Sequence, residues 1–154
     1  MKRRNFIKSV FGASVVAVTL TPVSIMAEGK KGGNKLSYDE AEKVITGGKG
    51  ATDSDKIKLT VPEIAENGAV VPVKVMVDNP MEEANYVKAI HVLATKNGNS
   101  RCADVMLSPL NAKGYFATRI KLGGTQNVVA LVELSNGTFI KTAKSVKVTI
   151  GGCG

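Results

Sequence analysis

Val71-Pro72-Val73-Lys74-Val75-Met76-Val77 places a valine at every second position, with a proline, a lysine and a methionine between them. Successive side chains of an extended chain point to opposite faces, so this spelling gathers the valines on one side. It predicts a strand with one buried face. Upstream, Ile57, Leu59 and Val61 alternate with Lys58 and Thr60 in the same way. Downstream, residues 86–95, 103–107, 115–122, 126–134 and 138–150 extend the series, with Val146, Val148 and Ile150 as the inward set of the last. Their β-branched content supports about seven strands in all. Asn67-Gly68, Asn97-Gly98 and Asn136-Gly137 punctuate the series, each a dipeptide that tolerates the positive φ of a tight reversal, and Asp78-Asn79-Pro80 adds another turn. The expected fold is all-β, an immunoglobulin-like antiparallel β-sandwich, with a closed barrel as its rival.

Ahead of the strands, Ser37-Tyr38-Asp39-Glu40 spells a capping box, in which the Ser37 hydroxyl takes an orphan N–H and Glu40 reaches back to the cap. A short helix follows, with Tyr38, Ala41, Val44 and Ile45 on one face and Gly47-Gly48 as the stop. Residues 28–36 are rich in glycine and lysine without apolar periodicity and read as a flexible lead-in.

The first 27 residues have a different character. Lys2, Arg3, Arg4 and Lys8 precede an apolar run from Val10 to about Leu20, which leads through Pro22 to Ala27. This is the layout of an export signal, too short and wrongly flanked for a span of about 20 residues. Arg3-Arg4 followed by Phe6-Ile7-Lys8 resembles a twin-arginine signal, an ordinary secretory signal being the alternative. Cleavage after Ala27 would leave a periplasmic protein with no membrane insertion. Of the 21 basic residues these four would go, leaving 17 against 13 acidic ones, so the net charge of +8 falls to +4. The remaining lysines are scattered along strands without interleaved aromatics, which argues against nucleic acid. With 154 residues, of which 44% are hydrophobic, the chain supports one domain, residues 37–150.

Beyond that domain the chain ends Gly151-Gly152-Cys153-Gly154. Glycine lacks the Cβ that restricts φ and ψ, so this ending reads as a flexible arm, residues 151–154, carrying a thiol. Fully extended, three residues beyond Ile150 reach roughly 10–11 Å, at ~3.3–3.6 Å each. Such a thiol has no fixed base, helix N-terminus or metal to activate it, so it suits carriage, with activation supplied by visiting enzymes. No residue reads as catalytic, and no cofactor or metal is called for.

The ending Ile150-Gly151-Gly152-Cys153-Gly154, the stretch from Lys58-Leu59-Thr60-Val61-Pro62-Glu63-Ile64 to Val73, and Thr125-Gln126-Asn127-Val128-Val129-Ala130 together resemble the SoxY family. The resemblance covers nearly the whole chain and implies the sulfur-carrier subunit of a thiosulfate-oxidising system. It implies an immunoglobulin-like fold, a heterodimer with a SoxZ-like β-sandwich subunit, and Cys153 as the point of covalent attachment on an arm of Gly151, Gly152 and Gly154. It also implies a c-type cytochrome that couples thiosulfate to the cysteine, a hydrolase that releases sulfate, and an enzyme that oxidises the remaining sulfane sulfur. The family's ending has two glycines after the cysteine, where this chain has Gly154 alone.

Other residues read as structural. Cys102 falls on the outer side of a strand whose inward set is Ala103, Val105 and Leu107, and a Cys102–Cys153 bridge is open in an exported protein. His91 is the sole histidine, at a strand position facing a partner or the rim, and lacks the company a metal site needs. Asp53-Ser54-Asp55 lacks the spaced glutamate of a calcium loop. Two functional classes compete: a covalent sulfur carrier, and an immunoglobulin-like interaction module whose tail cysteine forms an intermolecular disulfide. A thiol oxidoreductase lacks its Cys-x-x-Cys pair.

Overall fold

The computed structural model describes residues 35–152. The expected export signal, most of the lead-in, and Cys153 and Gly154 lie outside the described residues.

One helix, α1 (Tyr38–Thr46), precedes nine strands: β1 (Thr52–Asp53), β2 (Ile57–Thr60), β3 (Ile64–Asn67), β4 (Val71–Val77), β5 (Val87–Ala94), β6 (Arg101–Met106), β7 (Gly114–Ile120), β8 (Gln126–Leu134) and β9 (Phe139–Ile150). They form the immunoglobulin-like sandwich expected from the periodicity. One sheet runs β2-β4-β7 and the other β1-β9-β8-β5-β6, with β3 also paired to β9. The seven predicted strands, β2 and β4 to β9, are present, and their pairings with one another are antiparallel. β1 and β3 are additional, and each pairs parallel with a different part of the 12-residue β9.

In β4 the four valines are buried and Pro72, Lys74 and Met76 are exposed, as the spelling dictates. They meet Ile90, Val92 and Ala94 of β5 and Val128, Ala130 and Val132 of β8 across the inter-sheet core. β5 and β8 are buried on both faces, because a second cluster lies on the outer side of the larger sheet. There Leu93, Val129 and Leu131 pack with Ala41 of the helix, flanked by Leu36, Tyr38, Ile45 and Phe139.

The capping box is present in both directions, Ser37 accepting from the Glu40 N–H and Glu40 accepting from the Ser37 N–H, and Gly47 closes the helix at φ 61°. Lys141 of β9 pairs with Glu42 at 2.7 Å and ties the helix to the sheet. Val44 departs from expectation and is exposed. At 100° per residue the buried stripe runs from Ala41 through Ile45 and Tyr38 to Thr46, and Val44 falls on its far side. Since the helix covers Leu93, Val129 and Leu131, losing its cap acts on the whole domain. Ser37→Ala is expected to cost about 1 kcal/mol (range ~0.5–2). Thermal unfolding checks this, and an unchanged midpoint would refute it.

Two further departures concern turns and strand ends. Only Asn136-Gly137 has the positive φ expected of the Asn-Gly dipeptides; among the described residues the other positive values are at Gly47, Gly48 and Gly50. Ile150, placed in the inward set of the last strand, is 68% exposed, while Val146 is buried and Val148 packs on the core.

Candidate functional site

At the end of β9 three backbone segments converge. The Gly68 N–H donates to the Ile150 carbonyl at 2.8 Å, the Leu122 N–H to the Gly68 carbonyl at 2.7 Å, and the Gly152 N–H to the Leu122 carbonyl at 3.0 Å. These bonds lock the chain after β3, the chain after β7 and the chain after β9 into one junction. It is too tight for side chains. A Cβ on Gly68 would lie 2.3 Å from the Leu122 oxygen, one on Gly151 2.5 Å from the Gly123 oxygen, and one on Gly152 2.7 Å from the Ala69 backbone. Glycine is required at all three positions for close approach.

Gly151 and Gly152, expected as links of a flexible arm, both belong to this junction. Both are seated against neighbouring backbone, so the junction brings the chain to the sandwich edge at Gly152 and removes two residues from the reach counted from Ile150. Gly68, which the sequence suggests as a turn residue, belongs to the same junction.

Asn97 braces the loop on which Gly152 rests. Its Nδ2 donates to the Lys121 carbonyl at 2.7 Å, and its Oδ1 accepts from the Gly123 N–H at 3.0 Å and from Gln126 Nε2 at 2.8 Å. Gln126 is buried and takes the Lys96 N–H on its Oε1. The pair is distant in sequence and carries no local signal, which is why residue spacing missed it.

Cys102 stands on the other side of Asn97, Nδ2 lying 3.8 Å from its Sγ. It is partly buried and packs on the inter-sheet core together with its neighbour Ala103, which corrects its assignment to the outer side. The pairing of β5 and β6 shifts register between Val92 and Leu93, so Val92 faces Ala103 while Leu93 faces Arg101. Cys102 is the extra residue of that bulge, and a bulge re-aims side chains from strict alternation. Burial pushes its thiol up to about 11, outweighing the Asn97 hydrogen bond, which lowers it.

His91 is also not at the rim. It is 3% exposed, on the helix side of β5, and its Nδ1 hydrogen-bonds Asp104 Oδ1 across the β5–β6 pair. Asp104 Oδ2 accepts from Arg101 Nε at 2.8 Å, which makes a three-residue structural chain. Among the described residues no group of three or more His, Cys, Asp or Glu side chains converges as a metal site, and no helix is long and apolar enough to cross a membrane.

The sequence profile described as sulfur oxidation protein SoxY matches residues 42–153, nearly three-quarters of the chain and a stretch that includes Cys153. The chain belongs to the SoxY family. The structure of the sulfur carrier protein SoxY from Chlorobium limicola f thiosulfatophilum is similar to this SoxY family member at 30% identity and a TM-score of 0.62, covering 73% of this chain and 96% of that one. Superoxide reductase (neelaredoxin) from Ignicoccus hospitalis is similar in fold, at 20% identity and a TM-score of 0.55 over 60% of this chain and 80% of that one. No curated protein matches significantly.

Proposed function

We propose that this chain is a periplasmic sulfur carrier that holds a thiosulfate-derived group covalently on Cys153 and has no turnover of its own. The observation that carries the reading is the family match running through Cys153, immediately after a glycine junction that delivers the chain to the edge of the sandwich. The Chlorobium relative is itself described as a sulfur carrier protein. A thiol carried on the residue after this junction can enter the clefts of partner enzymes.

In the coupling step the Cys153 thiol and thiosulfate form an S–S bond, releasing one proton and two electrons to a c-type cytochrome. The product is a cysteine S-thiosulfonate. Water then cleaves the bond to the sulfonate sulfur, sulfate and one proton leave, and a neutral persulfide, –S–SH, remains for a sulfane-oxidising enzyme. The carrier contributes the nucleophile and its tether, while the partners contribute activation. Residues 1–27 serve as a twin-arginine export signal, and a SoxZ-like β-sandwich subunit completes the working heterodimer.

Incubated with thiosulfate and the coupling cytochrome, the exported protein should gain the mass of one S2O3 unit, and Cys153→Ser should gain none. An equal gain in that variant overturns the assignment. A stable disulfide-linked dimer that accepts no sulfur supports the interaction-module reading instead.

A further inference from the structure

The open edges of the two sheets, β6 and β7, face each other beside the glycine junction. Between them lies a cleft of about 390 Å³ whose lining includes Asn97, Arg101, Cys102, Arg119 and Lys121. We propose that this cleft is a seat for a sulfur oxyanion, taking the sulfonate end of the group carried on Cys153. The inference rests on the carrier reading and deepens it by assigning the loaded arm a resting place on its own sandwich.

Charge is the first argument. Three cations line the cleft and no carboxylate does. Asp104 engages only the Nε of Arg101, which leaves that guanidinium its terminal amino groups for a second acceptor. Arg119 and Lys121 are exposed, and neither is part of an ion pair recorded among the described residues. The guanidinium fork matches the oxygen geometry of a tetrahedral oxyanion. Cys102 adds no opposing charge, because its half-buried thiol stays protonated at neutral pH. Asn99 is also in the lining, but its Oδ1 is buried and does not front the cleft.

Position is the second argument. The Gly152 carbonyl lies 3.7 Å from where a Gly123 Cβ would stand, the Gly123 N–H donates to Asn97, and Asn97 is in the lining. The seated backbone therefore ends one side chain away from the cleft. Cys153 adds ~3.3–3.6 Å of chain. Its side chain and the two sulfur–sulfur bonds of a thiosulfonate, about 2 Å each, extend the reach past Asn97. The charge being held belongs to the sulfonate, so hydrolysis to the persulfide removes what the cations grip. The cleft thus separates a loaded, docked arm from a processed, released one.

The cleft's other candidate occupant is free thiosulfate, and the test distinguishes the two. The adduct forms without a coupling enzyme: the Cys153 thiolate attacks a sulfenyl sulfur of tetrathionate, the central S–S bond breaks, thiosulfate leaves, and the thiol proton passes to water. Intact and peptide masses locate the adduct before any spectrum is read. In ¹H–¹⁵N spectra of the exported chain, loading should shift the amides of Asn97, Cys102 and Lys121. The Arg119→Gln/Lys121→Gln variant, loaded to the same mass, should lose those shifts. Both replaced side chains are exposed, so the fold should survive, as the rest of the spectrum will show. Perturbation confined to residues 148–152, or shifts that persist in the double variant, overturns the seat while leaving carriage intact. Free thiosulfate shifting these amides in Cys153→Ser, when the tethered group does not shift them in the parent chain, also overturns it. Failure to load Cys153 at all removes the carrier reading, and the seat with it.

Discussion

At pH 8 Cys102 in the folded protein should be alkylated by iodoacetamide ~100-fold more slowly than in the same chain unfolded. The thiolate is the reacting species, and each unit by which a thiol pKa rises cuts its thiolate tenfold at a pH well below both values. Burial at the β6 bulge moves Cys102 from 9.0 to about 11, a difference of two units. The experiment is cleanest in Cys153→Ser, where Cys102 is the one thiol left in the sequence. A folded rate within a few-fold of the unfolded one would show that the bulge does not hold Cys102 out of water. The same shift fixes a sign for stability. Because the folded pKa lies above the unfolded one, the thiol's contribution is whole below about pH 9 and is lost as pH rises through about 11. The chemical consequence is a division of labour between two cysteines. Protonated and partly covered, Cys102 competes poorly for sulfur electrophiles delivered to the neighbouring arm.

The contrast between Cys102 and β4 shows what the sequence could carry. Val71–Val77 was legible because its two faces meet opposite environments, core and water, so composition alternates with the pleat. His91 was misplaced because that contrast fails in β5. The helix covers the outer face of the larger sheet, and both sides of the strand are buried. Cys102 was misplaced because one extra residue in β6 turns adjacent side chains toward the same core, and nothing local announces the insertion. β1 and β3 left no signal either. Thr52 and Asp53 are exposed, and the four residues of β3 bury only Ala65, so what makes them strands is the unusual length of β9. The helix cap was readable because its partners lie three residues apart. The Asn97–Gln126 brace joins residues 29 apart and was not. In the candidate site, Gly151 and Gly152 could be picked out by residue type. Their physical reason could not, since it depends on the backbones of Gly68, Ala69 and Gly123 arriving from elsewhere.

Gly68 and Gly98 give the sharpest test of that reason, because the same Asn-Gly dipeptide should respond with opposite signs. Neither glycine has a positive φ, so alanine meets no backbone strain at either position. At Gly98 the new Cβ has nothing within 4 Å. The substitution should then be neutral or stabilise by ~0.4–1 kcal/mol, through the lower entropy of the unfolded chain. At Gly68 the Cβ would stand 2.3 Å from the Leu122 oxygen and 2.8 Å from both the Gly152 nitrogen and Val148 Cγ1. Two of those three atoms are backbone, so no side-chain rotation relieves the overlap and the segments must part. Overpacking of this kind costs about 1–3 kcal/mol. For a domain near 100 residues each kcal/mol is worth about 4–8 °C, so Gly68→Ala should lower the unfolding midpoint by roughly 10 °C. Parting the segments also strains the Gly152-to-Leu122 hydrogen bond, so exchange of the Gly152 amide should quicken well before global unfolding. Matching midpoints for the two variants would mean that the junction yields without cost. Gly152 would then be no anchor, and Cys153 would be offered from a tether that starts at Ile150.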